Sequence, residues 1–130
     1  MAPSPGKILV VDDEADIAPT VRLAVGRGYQ VDAVATGREA FETLRENAAG
    51  FGIVIVDHLM PGWSGSELIQ KLKDAEFRGR CIVITGYLSP AVEASYRELG
   101  VQHVIAKPFD GAEIRKAVAA SARAIEEQGH

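Results

Sequence analysis

Short apolar runs alternate with longer amphipathic segments from one end of the chain to the other. Residues 8–11, 53–56 and 82–84 are continuous apolar stretches. A strand that shows no polar alternation is one covered on both faces, which is how parallel sheets read. Residues 31–35 and 101–106 carry a weaker version of the same signal. Between these runs the apolar spacing is helical. Phe41, Leu44 and Ala48 share one face of a segment over about 38–49, and Leu68, Ile69 and Leu72 do so after Gly65. Ser89-Pro90 reads as an N-cap with a first-turn proline, opening a helix that buries Val92, Tyr96 and Leu99. Asp110 with Glu113 resembles a capping box before Ile114, Val118, Ala122 and Ile125. The last three residues read as a frayed tail.

The first helix, over about 15–27, is interrupted. Ile17, Val21 and Val25 form a face, but Pro19 falls between them. An interior proline costs roughly 3 kcal/mol, so the helix is expected to start late, near Pro19, or to be distorted in its first turn. Five strands and five helices in strict alternation imply a parallel α/β sheet with right-handed crossovers. A single domain over 1–130 is expected, with no repeat or linker.

Composition changes this picture little. The 47% hydrophobic and 25% charged content is ordinary for a globular protein. A net charge of −4 with scattered basic residues excludes a basic face for nucleic acid. No apolar stretch reaches the length of a membrane span, and the N-terminus has no signal-like apolar core. Cys81 is the only cysteine and sits in an apolar run, so it reads as a small buried hydrophobe in a cytoplasmic protein.

The polar residues then acquire positions. Asp12 and Asp13 end the first strand, Asp57 the third and Thr85 the fourth, and Lys107 follows the fifth. In a parallel sheet these all fall at the carboxyl edge, where open α/β folds bind ligands. Three crowded carboxylates repel unless a cation intervenes. Oxygen ligands that leave room for water suit Mg²⁺, which neutralises charge in phosphoryl transfer. A carboxylate is a competent nucleophile towards phosphorus. Lys107 supplies a mobile positive charge for a phosphate oxygen, Thr85 a hydroxyl for another, and Gly86 leaves space for the approach. Singly, each has a plainer explanation: a polar turn, a strand-end threonine, a solvated loop lysine. The set, in this order at strand ends, is what carries meaning.

The pieces Lys7-Ile8-Leu9-Val10-Val11-Asp12-Asp13-Glu14, Val56-Asp57-His58-Leu59-Met60-Pro61-Gly62-Trp63-Ser64-Gly65, Ile84-Thr85-Gly86 and Ala106-Lys107-Pro108-Phe109 resemble the receiver domains of two-component response regulators, chemotaxis regulators among them. The resemblance runs from Lys7 to about Ile125. It implies a flavodoxin-like five-stranded sheet of order 2-1-3-4-5 with five flanking helices, an order for which chemotaxis receivers are the standing example. It implies a phosphoprotein in which Asp57 accepts a phosphoryl group from a histidine kinase or histidine phosphotransfer protein. Asp12, Asp13, Asp57 and the backbone carbonyl of Leu59 would hold Mg²⁺. Thr85 and Lys107 would read the phosphoryl group. It further implies a cis Lys107-Pro108 bond, and a readout face on the fourth helix, fifth strand and fifth helix for a downstream target, an output domain or a homodimer. Beyond self-phosphorylation from small donors and self-dephosphorylation, no enzymatic activity is implied.

Three positions depart from the family. Val104 stands where an aromatic is usual, so coupling by an inward-turning aromatic on the fifth strand is not available; either Tyr87 or Tyr96 replaces it or the readout uses other packing. Leu59 and Tyr87 flank the site. An apolar side chain beside a tyrosine would shield an acyl phosphate and slow its hydrolysis, unless Tyr87 is an exposed loop aromatic. Trp63 and His58 are unusual near a phosphoacceptor and read as packing residues, His58 not as a ligand for a hard ion.

Three rivals remain. A haloacid-dehalogenase-type phosphohydrolase needs a second Asp two residues after its nucleophile, where Leu59 stands, and its paired acids come last in the chain. A flavodoxin-type FMN binder needs a Ser/Thr/Gly-rich loop where Asp12-Asp13-Glu14 follows the first strand. A receiver-like binding module without phosphorylation is the third, kept open by Val104.

Overall fold

A computed structural model describes residues 3–46 and 50–128. The strands are β1 (Lys7–Val11), β2 (Gln30–Val34), β3 (Ile53–Asp57), β4 (Arg80–Thr85) and β5 (His103–Ala106), and the helices are α1 (Ile17–Val25), α2 (Gly37–Glu46), α3 (Gly65–Asp74), α4 (Pro90–Glu98) and α5 (Gly111–Gln128). All strand pairs are parallel, in the order β2-β1-β3-β4-β5. This is the expected flavodoxin-like sheet.

Successive strand residues face opposite sides, and both sides are covered. Ile8 and Val10 of β1, Ile53 and Ile55 of β3, and Ile82 and Ile84 of β4 pack against Val21 of α1 and Ile114 and Val118 of α5. The intervening Leu9, Val11, Val54 and Val56 meet Leu44 of α2 and Leu68 and Leu72 of α3. Two covered faces explain why these strands read as unbroken apolar runs. A third cluster joins Val83 and Ile69 to Tyr96 of α4 and Val101.

Pro19 turns out to be harmless. The helix begins at Ile17, which places the proline in the first turn, where an amide has no partner within the helix to lose. It ends at Gly26, which takes a positive φ of 77°. Ser89 caps α4 as expected, accepting from the Val92 amide at 3.2 Å. The box at α5 is half formed. The Asp110 amide donates to Glu113, but the Asp110 carboxylate accepts from Ala112, not Glu113. A full capping box is found instead at Ser64 and Glu67, opening α3. Gln128, the first of the three residues expected to fray, still belongs to α5. Gly129 and His130 lie outside the described residues, as does Ala48 of the second helical segment.

The strand register sets the site. Val11 pairs with Val56, Asp57 with Ile84, and Thr85 with Ala106. Neighbouring strands therefore reach the carboxyl edge in step, and the residues at their ends arrive together.

Candidate functional site

Asp12 and Asp57 are 6% and 5% exposed, and Thr85 is fully buried. Asp13, in the turn beyond β1, faces solvent. Carboxylate oxygens of Asp12, Asp13 and Asp57 all lie within 4.8 Å of one another. Lys107 reaches across them, its Nζ 3.2 Å from Asp12 Oδ2, 3.2 Å from Asp57 Oδ2 and 2.9 Å from Glu14 Oε1. The Lys107-Pro108 peptide is cis. The lysine amide donates to the Thr85 carbonyl at 2.7 Å, tying the loop after β5 to β4.

Local hydrogen bonds aim the acids. The Glu14 amide donates to Asp12 Oδ1 at 2.9 Å, and the Leu59 amide to Asp57 Oδ1 at 3.3 Å. Each is an Asx-type turn, in which the carboxylate anchors the backbone two residues on. Thr85 Oγ1 accepts from the Tyr87 amide at 2.9 Å, and the hydroxyl keeps its own hydrogen to donate.

The electrostatics favour a cation. Desolvation by burial raises the Asp12 carboxyl above its usual value, the Glu14 amide pulls it down, the Asp57 charge raises it again, and Lys107 opposes that. Burial acts to lower the Lys107 ammonium, but its bonds to Glu14 and Asp57 and the charges of Asp57 and Asp12 outweigh it and raise the group. One ammonium against four carboxylates, the three clustered aspartates and Glu14, all counted as charged, leaves three negative charges. A divalent ion balances most of that remainder. The donor atoms are all hard oxygens, which fits Mg²⁺ and not a soft metal.

All five polar residues singled out in the sequence meet at this edge. Leu59 and Tyr87 beside it are 53% and 71% exposed. Trp63 packs away from the acids, edge-on to Phe41 at 5.9 Å, with Arg38 and Lys71 against its ring. Three features were missed by sequence reasoning. Glu14 joins the lysine, and its place directly after two acids was the available signal. Gly65 is required: a Cβ there would lie 2.8 Å from the Asp57 carbonyl and 2.8 Å from Tyr96 Oη. His58 Nδ1 forms a hydrogen bond with the Tyr96 hydroxyl, a contact across 38 residues that no local pattern announces.

Set beside known proteins, the chain matches the family model of the response regulator receiver domain over residues 8–119. Sporulation initiation phosphotransferase F of Bacillus subtilis is 33% identical over 113 residues, which cover 86% of this chain and 90% of that protein. Response regulator RppA of Synechocystis is 32% identical over 109 residues, covering 83% of this chain and 47% of that protein. This chain thus spans about half the length of relatives such as RppA. Among solved structures, a CheY-like response regulator receiver domain protein from Methanospirillum hungatei superposes with a TM-score of 0.83 at 26% identity, covering 95% of this chain and 98% of that one.

Proposed function

The chain belongs to the response regulator receiver domain family, and on that premise we propose that residues 1–130 form one receiver unit in which Asp57 is the phosphoacceptor. The observation that carries this reading is the convergence of Asp12, Asp13, Asp57 and Lys107 at one end of the sheet, where the acids outnumber the single ammonium.

Asp12, Asp13, Asp57 and the Leu59 carbonyl are the residues that would hold Mg²⁺. When bound, the ion supplies neutralisation of the phosphoryl oxygens and of the acids around them. The chain's own residues do the rest. An oxygen of the Asp57 carboxylate attacks phosphorus on a phosphohistidine. The new O–P bond forms as the P–N bond breaks, and the imidazole leaves with its electron pair and takes a proton from solvent. Lys107, already beside Asp57 Oδ2 at 3.2 Å, swings to the incoming phosphoryl oxygens and leaves Asp12 free. Thr85 donates its hydroxyl hydrogen to another oxygen.

The phosphodonor is a histidine kinase or histidine phosphotransfer protein, in keeping with two-component signalling and with a cytoplasmic site of action. Among the described residues, no helix is long and apolar enough to cross a membrane. The protein acts by shape change on a downstream partner or output domain, or by self-association through the α4-β5-α5 face, and not by turnover of a substrate. Phosphoramidate, a small P–N donor, tests the chemistry. With Mg²⁺ it should give a hydroxylamine-sensitive acyl phosphate on the peptide containing Asp57. A hydroxylamine-resistant product, or one on a histidine, would overturn the reading.

A further inference from the structure

Tyr96 is fully buried and is the buried residue of α4. Val92 and Leu99, on the same face, are only partly covered, so the position of α4 depends heavily on where this one ring sits. The ring lies in a pocket with Ile69, Val83 and Val101, and Val104 of β5 packs against the same cluster. An aromatic thus does occupy the space between the sheet and α4, but it is carried by the helix and not by β5.

Its hydroxyl is bonded to the ring of His58, the residue directly after Asp57, and the two rings meet edge to face with centroids 5.3 Å apart. The His58 backbone is held on both sides, its amide donating to Ile84 O and its carbonyl accepting from the Gly65 amide, each at 3.0 Å. It is linked as firmly to the acid pocket, because the next amide, of Leu59, bonds Asp57 Oδ1. Any displacement of residues 57–59 on loading the pocket therefore carries the His58 ring with it, and a close-packed interior passes such movement on.

We propose that the His58–Tyr96 pair reports the state of Asp57 to α4, taking the part that an aromatic on β5 cannot take where Val104 stands. His58 and Tyr96 are positioning residues in this scheme and touch no phosphoryl group. The inference rests on Asp57 being the phosphoacceptor. A second connection, from Thr85 Oγ1 to the Tyr87 amide, reaches only the loop before α4. The pair reaches the helix itself.

The two connections separate in an amide NMR experiment on the whole chain, with Mg²⁺ and beryllofluoride as the phosphoryl mimic. In the parent, amides at 57–59, at 85–87 and along 92–99 should all move. Tyr96→Phe keeps the ring and removes the hydroxyl, and His58→Phe removes the nitrogen from the other side. Both should leave the response to the mimic at 57, 59 and 85–87 in place and largely abolish that along 92–99. A merely structural role would alter the resting spectrum without altering this difference. Equal movement of α4 in the parent and both variants would overturn the relay while leaving the phosphoacceptor reading intact. No movement at 57–59 in the parent would overturn that reading and the relay with it.

Discussion

Lys107 Nζ stands 3.2 Å from Asp57 Oδ2 across 50 residues of sequence, so the cation proposed to meet the phosphoryl group already rests on the carboxylate proposed to receive it. In this state the lysine acts as counter-ion to the pocket. Its place there must be given up when a stronger cation and a phosphoryl group arrive.

Removing that counter-ion should be costly when Mg²⁺ is absent. Hydrogen bonds to charged groups contribute about 1.5–3 kcal/mol, and Lys107 makes three such contacts with one side chain 18% exposed. Lys107→Ala should lose about 2 kcal/mol in urea unfolding, and Mg²⁺ should restore part of it. The pH dependence has a definite sign. A raised lysine contributes stability that is complete below its ordinary value of 10.5 and lost only as pH climbs through its higher folded value. The parent's advantage over the variant should therefore persist through neutral pH. A parent and variant of equal stability at pH 7 would contradict this.

Asp12 has the opposite sign. Its folded value is raised above the ordinary 3.8, so its ionisation opposes folding. That penalty is complete above the raised value and vanishes as pH falls to 3.8. Without Mg²⁺, Asp12→Asn should melt higher than the parent at neutral pH, and the difference should close in acid. The same variant should lose the stabilisation that Mg²⁺ gives the parent. Melting curves with and without the ion read both effects.

Gly65→Ala probes the packing behind the phosphoacceptor. The added Cβ would press on the Asp57 carbonyl and on Tyr96 Oη, and overpacking of this kind costs about 1–3 kcal/mol. The variant should also accept phosphate more slowly, because relief requires the backbone at Asp57 to shift. Ser64→Ala, one residue away, removes a helix cap and a hydroxyl contact with Ser66. It should cost about 1 kcal/mol and leave phosphorylation at the parent rate.

Burial raises the Cys81 thiol to about 12, with Arg80 opposing weakly. Few thiolates exist at neutral pH, and the thiolate is the reactive form. Aromatic disulfide reagents should modify Cys81 slowly in the native protein and promptly in urea. Cys81 is half-buried, so prompt reaction in the native protein would show that its desolvation is too weak to hold the thiol protonated.

Much of this was legible in the chain because it depends on strand order. Once the runs at 8–11, 53–56 and 82–84 are read as strands covered on both faces, parallel topology carries Asp12, Asp57 and Thr85 to one edge. Lys107 follows by the same logic, although β5 begins at His103 and not at Val101, whose amide instead bonds the Tyr96 carbonyl. Pro19 looked disruptive because helix starts are poorly marked; two residues decide whether a proline is interior or in the first turn. The His58–Tyr96 contact was not legible. Both residues were noticed, but side chains on different elements meet through tertiary packing, which local spacing does not encode. The exposure of Leu59 was equally beyond reach, and that of Tyr87 stood only as one of two readings, since exposure of a loop side chain depends on the path of the loop.

Phosphorylation of Asp57 is read by intact mass after incubation with acetyl phosphate and Mg²⁺, for the parent and for Asp57→Asn. One added phosphoryl group is expected in the parent, none in the variant and none when Mg²⁺ is withheld. An equal gain in the Asp57→Asn variant, or a gain that ignores Mg²⁺, would contradict it.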